Sequence, residues 1–172
     1  MLMYLFILHQ LQTEVNRLAT ERDEMIVCPC GSRKEIVKCC ERFISGKRHA
    51  PTALELMRSR YTAAVSGNID CIEETQAGKA AKNFDRVGFE TYAAERFWTG
   101  LRVVSTSEGL RDQKKGIVAF SASYMMNGEV YYHNEKSHFR CEDGRWYFVD
   151  SEPLDDPGCL LGGNAAGVMD YS

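Results

Sequence analysis

Four of the chain's seven cysteines fall in one short stretch, CPCGSRKEIVKCC, residues 28–40. Their spacing is C-x-C-x8-C-C, supplied by Cys28, Cys30, Cys39 and Cys40. Two close pairs of thiolates joined by a short loop can close tetrahedrally around one Zn²⁺, with Zn–S bonds of ~2.3 Å. Pro29 stiffens the first pair, and Gly31 permits the tight turn that brings backbone N–H groups toward the sulfurs. Between the pairs, SRKEIVK is long enough for a helical turn or two that returns the second pair to the first. Four thiolates leave a local charge of about -2 on the ion, which Arg33, Lys34, Lys38 and Arg42 can offset. Because protein ligands fill all four positions, the site is closed, and the expectation is one structural zinc per chain. Disulfides and four unligated thiols are the alternatives. Adjacent cysteines strain a disulfide, and a reducing compartment opposes one.

The remaining composition bounds the partners. A chain of 172 residues with 44% hydrophobic and 26% charged residues fits one domain with a real core and a small appendage. Its net charge of -3 argues against bulk attraction to nucleic acid or to an acidic membrane. The charge is unevenly spread: from Cys28 to His49, Arg33, Lys34, Lys38, Arg42, Lys47 and Arg48 face only Glu35 and Glu41. The apolar start, MLMYLFILH, has no preceding Lys or Arg, no small-residue cleavage site after it, and too little length to span a bilayer. The expected setting is the cytoplasm, with reduced thiols and no membrane. Leu8, Leu11, Val15 and Leu18 recur at helical spacing, which predicts an amphipathic helix over about 5–22. Such a helix packs on its own domain or forms a homodimer.

Downstream, Thr52 and Glu55 form a capping box behind Pro51, Leu54, Met57, Tyr61 and Ala64 follow a helical period, and Gly67 stops the helix. Shorter helices are expected over 69–76 and 84–97. From Trp98 the period becomes two, and four strands follow at 98–108, 115–125, 129–141 and 145–151. Asn127-Gly128 and Asp143-Gly144 are two-residue hairpin signals. Counting outward from them sets Tyr124 opposite Tyr131, Ala122 opposite His133, Phe120 opposite Glu135, Cys141 opposite Trp146, Phe139 opposite Phe148 and Ser137 opposite Asp150. One face then carries Val118, Phe120, Tyr124, Tyr131, Phe139, Trp146 and Phe148, together with His133, Glu135 and Asp150. A histidine with carboxylates on an aromatic wall can act as a general base. The plainer reading is a hydrogen-bonded group at the sheet edge. Tyr132, Asn134, Lys136, His138 and Arg140 form the opposite, solvated face. Cys71 and Cys141 read as small buried hydrophobes, and Arg58 and Arg60 as partners in structural ion pairs. No nucleophile-elbow, phosphate-loop or dinucleotide fingerprint is present.

CPCGSRKEIVKCC is similar to the SEC-C motif, best known from the C-terminal tail of the secretion ATPase SecA, where it binds zinc and docks the chaperone SecB. With the following ISGKRHAPTALELMRSRYTAAVSGNIDCI and the later SHFRCEDGRWYFVD, the chain resembles the YchJ-like family over about residues 27–151. Members of that family often carry a second SEC-C motif at the C-terminus, where this chain reads PLDDPGCLLGGNAAGVMDYS. The resemblance implies a zinc motif and a fold, and it brings no reaction with it. The expected class is α+β: helices packed on a curved antiparallel sheet, a cystatin-like or nuclear transport factor 2-like cone, with a small N-terminal zinc knuckle. The chain divides into a helix (1–25), the zinc motif (26–46), the cone (47–152) and an irregular tail (153–172). A protein-binding module whose basic knuckle meets an acidic partner is the first functional reading. A ligand site or enzyme in the cone is the second, and nucleic-acid binding the third. Loss of metal is expected to loosen residues 27–44 and leave the cone folded.

Overall fold

In a computed structural model, residues 26–155 can be described. The expected helix at 1–25, with the homodimer it would support, and most of the tail lie outside them. A single 3-10 turn (Ile36–Lys38) and α1 (Glu41–Ile44) belong to the knuckle; α2 (Ala53–Val65), α3 (Ile69–Glu74), α4 (Gly78–Lys82) and α5 (Arg86–Ala94) follow. Then come β1 (Phe97–Glu108), β2 (Lys115–Met126), β3 (Glu129–Glu142) and β4 (Arg145–Pro153), paired antiparallel in the order β1-β2-β3-β4. This is the expected α+β architecture.

Helices α2, α3 and α5 each start on a side-chain cap. Thr52 Oγ1 accepts from Glu55 N at 3.1 Å, the expected N-cap, and the Glu55 carboxylate turns back onto the Thr52 hydroxyl, 3.0 Å away, in place of the backbone N–H of a full capping box. Asn68 caps α3 through Cys71 N, and Asp85 caps α5 through Gly88 N. Helix α5 is shorter than the expected 84–97. Asp85 fixes its start, and at its other end Phe97 is already paired with Met125 in the sheet. Helix α3 also stops early. Phe148 N donates to Thr75 O and Ala77 N to Phe148 O, so residues 75–77 run along the free edge of β4. Helix α4, which the sequence reading did not anticipate, follows directly.

The hairpin turns determine the register. Asn127, Gly128, Asp143 and Gly144 all have positive φ, as the tight primed turns require. Tyr124 lies opposite Tyr131, Ala122 opposite His133, Phe120 opposite Glu135, Cys141 opposite Trp146 and Phe139 opposite Phe148. Beyond Phe148 the register shifts by one: Val149 is an extra residue, His138 pairs with Asp150 and Ser137 with Ser151. Two more irregularities in β1, between Trp98 and Gly100 and between Val103 and Ser105, bend the other side of the sheet.

Helix α2 crosses the concave face. Its Ala53, Leu56 and Met57 pack with Val118, Phe139, Cys141 and Trp146 in one core. The helix start is pressed close to the sheet, with Ala53 N donating to Gly109 O at 3.0 Å. A β carbon on Gly116 would stand 2.6 Å from Gly109 Cα and 2.7 Å from Ala53 Cβ. Neither neighbour is a flexible side-chain end, so the clash cannot relax cheaply. Gly116→Ala is expected to lower stability by about 1–3 kcal/mol, read from the midpoint of urea unfolding at constant slope. An unchanged midpoint would show that α2 can lift away.

Candidate metal centre

The four sulfurs expected to act together do meet. Cys28, Cys30, Cys39 and Cys40 are each no more than 9% exposed, and their Sγ atoms all lie within 4.8 Å of one another. Cys30 and Cys39 are 3.6 Å apart at sulfur, Cys39 and Cys40 3.8 Å. A tetrahedron with ~2.3 Å metal–sulfur bonds has edges of about 3.8 Å. None of the four is in a disulfide. Burial raises the Cys39 thiol, and contact with Cys28 and Cys30 as well as burial raises Cys40. Without a cation the set cannot ionise together; a divalent ion removes that obstacle. The donor set, its burial and its spacing are compatible with zinc.

The local chain explains the convergence. Cys28 N donates to Lys34 O at 2.8 Å, closing the first loop, and Cys39 N to Ile36 O at 3.0 Å, bringing the second pair back. The Ser32 hydroxyl lies 3.1 Å from Cys39 Sγ, placed to donate to a thiolate, and the Thr62 hydroxyl lies 3.6 Å from Cys28 Sγ while donating to Arg58 O at 3.1 Å. Gly31 has φ near 74°, and a β carbon there would stand 2.7 Å from Leu101 O, so the knuckle backbone sits directly on β1. Arg58 Nη1 donates to Cys30 O. The four cysteines share one core with Tyr61 and Ala122, and Ile36, Ile44, Trp98, Leu101 and Phe120 pack against it. The knuckle is therefore part of the cone's own wall. The cone also has a core of its own around Leu56, Val118, Phe139 and Trp146, as the sequence reading supposed, and the knuckle adds a second cluster shared with it.

Sequence reasoning missed Ser32 and Thr62 as supporting residues, and it named Tyr61 and Arg58 without placing them at the cysteines. Ser32 was visible inside the motif. Thr62 and Arg58 lie four apart on α2, but nothing in sequence says which face meets the knuckle. Among the described residues Arg58 and Arg60 form no ion pair and bond neutral oxygens instead: Arg60 Nη1 donates to Ile72 O at 2.8 Å and to Thr75 Oγ1 at 2.7 Å. Burial lowers Arg60 to about 10. The basic knuckle residues fall into two groups. Lys38 pairs with Glu35 at 2.6 Å; Arg42 donates to Cys39 O at 3.1 Å, lies over the Phe43 ring and meets Glu55 at 3.5 Å. Arg33 and Lys34 are exposed.

Inside the cone, His133 Nε2 lies 3.0 Å from Glu135 Oε2, and Ser137 Oγ donates to Glu135 Oε1. Tyr92 OH lies 3.4 Å from His133 Nδ1. The rings of Tyr92 and Phe120 pack on His133, and Tyr92 lies tilted against Trp98 with ring centroids 6.0 Å apart. Asp150 does not join this group. The extra residue at Val149 sets it opposite His138, where it pairs with Lys79 at 3.2 Å. Cys71 and Cys141 are each 6% exposed.

Comparison with known proteins places this geometry among relatives. Residues 52–151 match a family model described as the YchJ middle NTF2-like domain. A UPF0225 protein of Geobacter sulfurreducens is 40% identical over 124 residues, 72% of this chain and 77% of that protein. One of Actinobacillus succinogenes is 39% identical, covering 79% and 90%. A solution structure of a SEC-C motif containing protein from Rhodopseudomonas palustris is 35% identical with a TM-score of 0.68, covering 74% of this chain and 98% of that one. A crystal structure of a SEC-C motif containing protein from Psychrobacter arcticus is 27% identical with a TM-score of 0.63, covering 72% and 80%. No described helix is long and apolar enough to cross a membrane.

The Glu135 carboxyl carries a pH signature. Burial pushes it up, but His133, Ser137 and Arg60 outweigh burial and hold it below its ordinary 4.5. A carboxyl lowered on folding stabilises fully above its unfolded value, and that contribution fades as pH falls through the folded value. Glu135→Gln is therefore expected to flatten the dependence of unfolding free energy on pH below about 4.5, measured by urea titration at several pH values. Parallel curves for the two proteins would remove Glu135 from the acid response.

Proposed function

The chain belongs to the YchJ-like family, and on that footing we propose that it is a cytoplasmic protein-binding module built around one structural zinc. The observation that carries this reading is the closed set of four buried thiols. Protein ligands fill every position, so a metal there organises backbone and offers no open site for chemistry. The organised backbone presents Arg33 and Lys34 to solvent, suited to an acidic protein surface. An enzymatic reading of the cone has less support, because His133 and Glu135 satisfy each other among packed rings. Nucleic acid is disfavoured by the net charge of -3.

Elemental analysis is expected to give about one zinc per chain, lost from a Cys39→Ser, Cys40→Ser double variant. Because the sulfurs share a core with Tyr61 and Ala122, metal-free reduced protein is expected to melt on the order of 10 °C lower as a whole domain. A native chain without metal would remove the structural-zinc reading. Unchanged melting of the cone would instead show the knuckle to be an independent appendage. For the binding role, the tagged protein recovered from its own cells is expected to bring one acidic protein, which then binds again when both are purified. Arg33→Glu with Lys34→Glu is expected to weaken that reconstituted complex about tenfold or more and to reduce its salt dependence. A complex indifferent to both substitutions would overturn the basic-surface reading.

A further inference from the structure

The four sulfur residues are not equally sealed. Cys28, Cys30 and Cys40 are 2%, 0% and 1% exposed, whereas Cys39 keeps 9%. A cleft of about 500 Å³ lies between the knuckle and the first turns of α2, and Ser32, Cys39 and Cys40 are among its lining residues. One corner of the cluster therefore faces a route from solvent. The charges along that route nearly cancel. Lys34, Arg42 and Arg58 line it, against Glu55 and the charge of about -2 that four thiolates on a divalent ion carry. Such a cleft selects neither an anion nor a cation, and it admits a small uncharged molecule that reacts with sulfur.

Cys39 is also the sulfur best placed to pass an oxidation on. The Ser32 hydroxyl, 3.1 Å from its Sγ, is a donor that favours the thiolate form. Cys30 Sγ lies 3.6 Å away and Cys40 Sγ 3.8 Å. Cys40 is the next residue, and a disulfide between adjacent cysteines is strained. That leaves Cys30, nine residues distant in sequence, as the partner. We propose that Cys39 is the site at which hydrogen peroxide oxidises the cluster, with Cys30 as the resolving thiolate. The Cys39 sulfur attacks one peroxide oxygen: the S–O bond forms, the O–O bond breaks, and hydroxide leaves and takes a proton from solvent. Cys30 Sγ then attacks Cys39 Sγ, the S–S bond forms, the S–O bond breaks, and a second hydroxide leaves as water. Two electrons pass from the two sulfurs to the peroxide, which becomes two waters. Cys28 and Cys40 are then too few donors for a closed four-sulfur site, so the oxidised chain lets its metal go. Metal release rests on the structural-zinc reading; the disulfide does not.

The test uses zinc-loaded full chain carrying Cys159→Ser, which removes the one thiol outside the described residues, and hydrogen peroxide in small molar excess. With dimedone present to trap sulfenic acid, the adduct is expected on Cys39, about tenfold above any other cluster cysteine. Without dimedone, trypsin is expected to release the peptide ending at Arg33 joined to the peptide from Cys39 to Arg42, and fragmentation to place the link at Cys30 and Cys39. Zinc, read with a chromogenic chelator, is expected to appear as the link forms, and dithiothreitol with added zinc to reverse both. The proposal is overturned if dimedone falls first on Cys28, Cys30 or Cys40, if Cys39 pairs with Cys40 instead, or if Cys71 and Cys141 oxidise while the cluster does not. A chain isolated without metal that still forms the Cys30–Cys39 link would sink the structural-zinc reading and leave this proposal standing. One zinc per chain, retained with all four cluster cysteines reduced after Cys71 has been oxidised, would sink this proposal alone.

Discussion

Four sulfurs held within 4.8 Å of one another, out of water and against the sheet, set the condition that the neighbouring structure must satisfy. As neutral thiols they are a loose apolar plug. As uncompensated thiolates they repel at close range with little solvent to screen them. As ligands to one divalent ion they become a rigid corner. The surroundings are compatible with the last state. Hydroxyls of Ser32 and Thr62 stand beside Cys39 and Cys28, the Gly31 turn lies against Leu101, and Arg58 ties the Cys30 carbonyl to α2. Tyr61 and Ala122, which belong to helix and sheet, bury the same sulfurs. The four sulfurs therefore connect α2 and β2 to the loop that carries the cysteines.

The cone's polar interior follows a different logic. A carboxylate taken from water needs compensation, and Glu135 gets it from His133, Ser137 and the field of Arg60. The guanidinium of Arg60 in turn is held by Ile72 O and Thr75 and lies 4.7 Å from the centroid of the Phe148 ring. These groups tie β3 to α2 and α3 at the level where the sheet curves. Such a network resembles an active site in composition, but each member's hydrogen-bonding capacity is turned toward another member. That arrangement suits a fixed shape, because breaking any one link leaves a buried charge without its partner.

What the sequence made legible follows from how local each signal is. Asn-Gly and Asp-Gly turns fix the pairing of the strands they join, so His133 and Glu135 fall on the inner face by counting from Asn127. The count fails at Val149. A bulge is specified by packing on the far side of the strand, here residues 75–78 running along β4, and leaves no mark in the alternation itself. Asp150 therefore crosses to the other face. Helix ends behave alike: Thr52 and Glu55 announced their cap, whereas α5 ended early because Phe97 was claimed by a strand partner. The cysteine spacing picked out the four sulfurs that meet but was silent on Thr62 and Tyr61, which reach the cluster only through the docking of α2.

The basic residues of the knuckle show why charge counted along a chain differs from charge offered to a partner. Six Lys and Arg between Cys28 and His49 look like one cationic surface in sequence. In the fold, Lys38 is paired within its own turn, and Arg42 is spent on Cys39 O, Phe43 and Glu55. Glu55 lies well outside the motif, and it sits there because Thr52 begins α2 at that point. Conversely, Arg58, outside the motif, is brought to the cleft by the Cys30 carbonyl. The charge around the cleft is thus a joint product of knuckle and helix. A motif excised from this fold would keep its four cysteines but lose Arg58 and Glu55, which α2 brings against the knuckle.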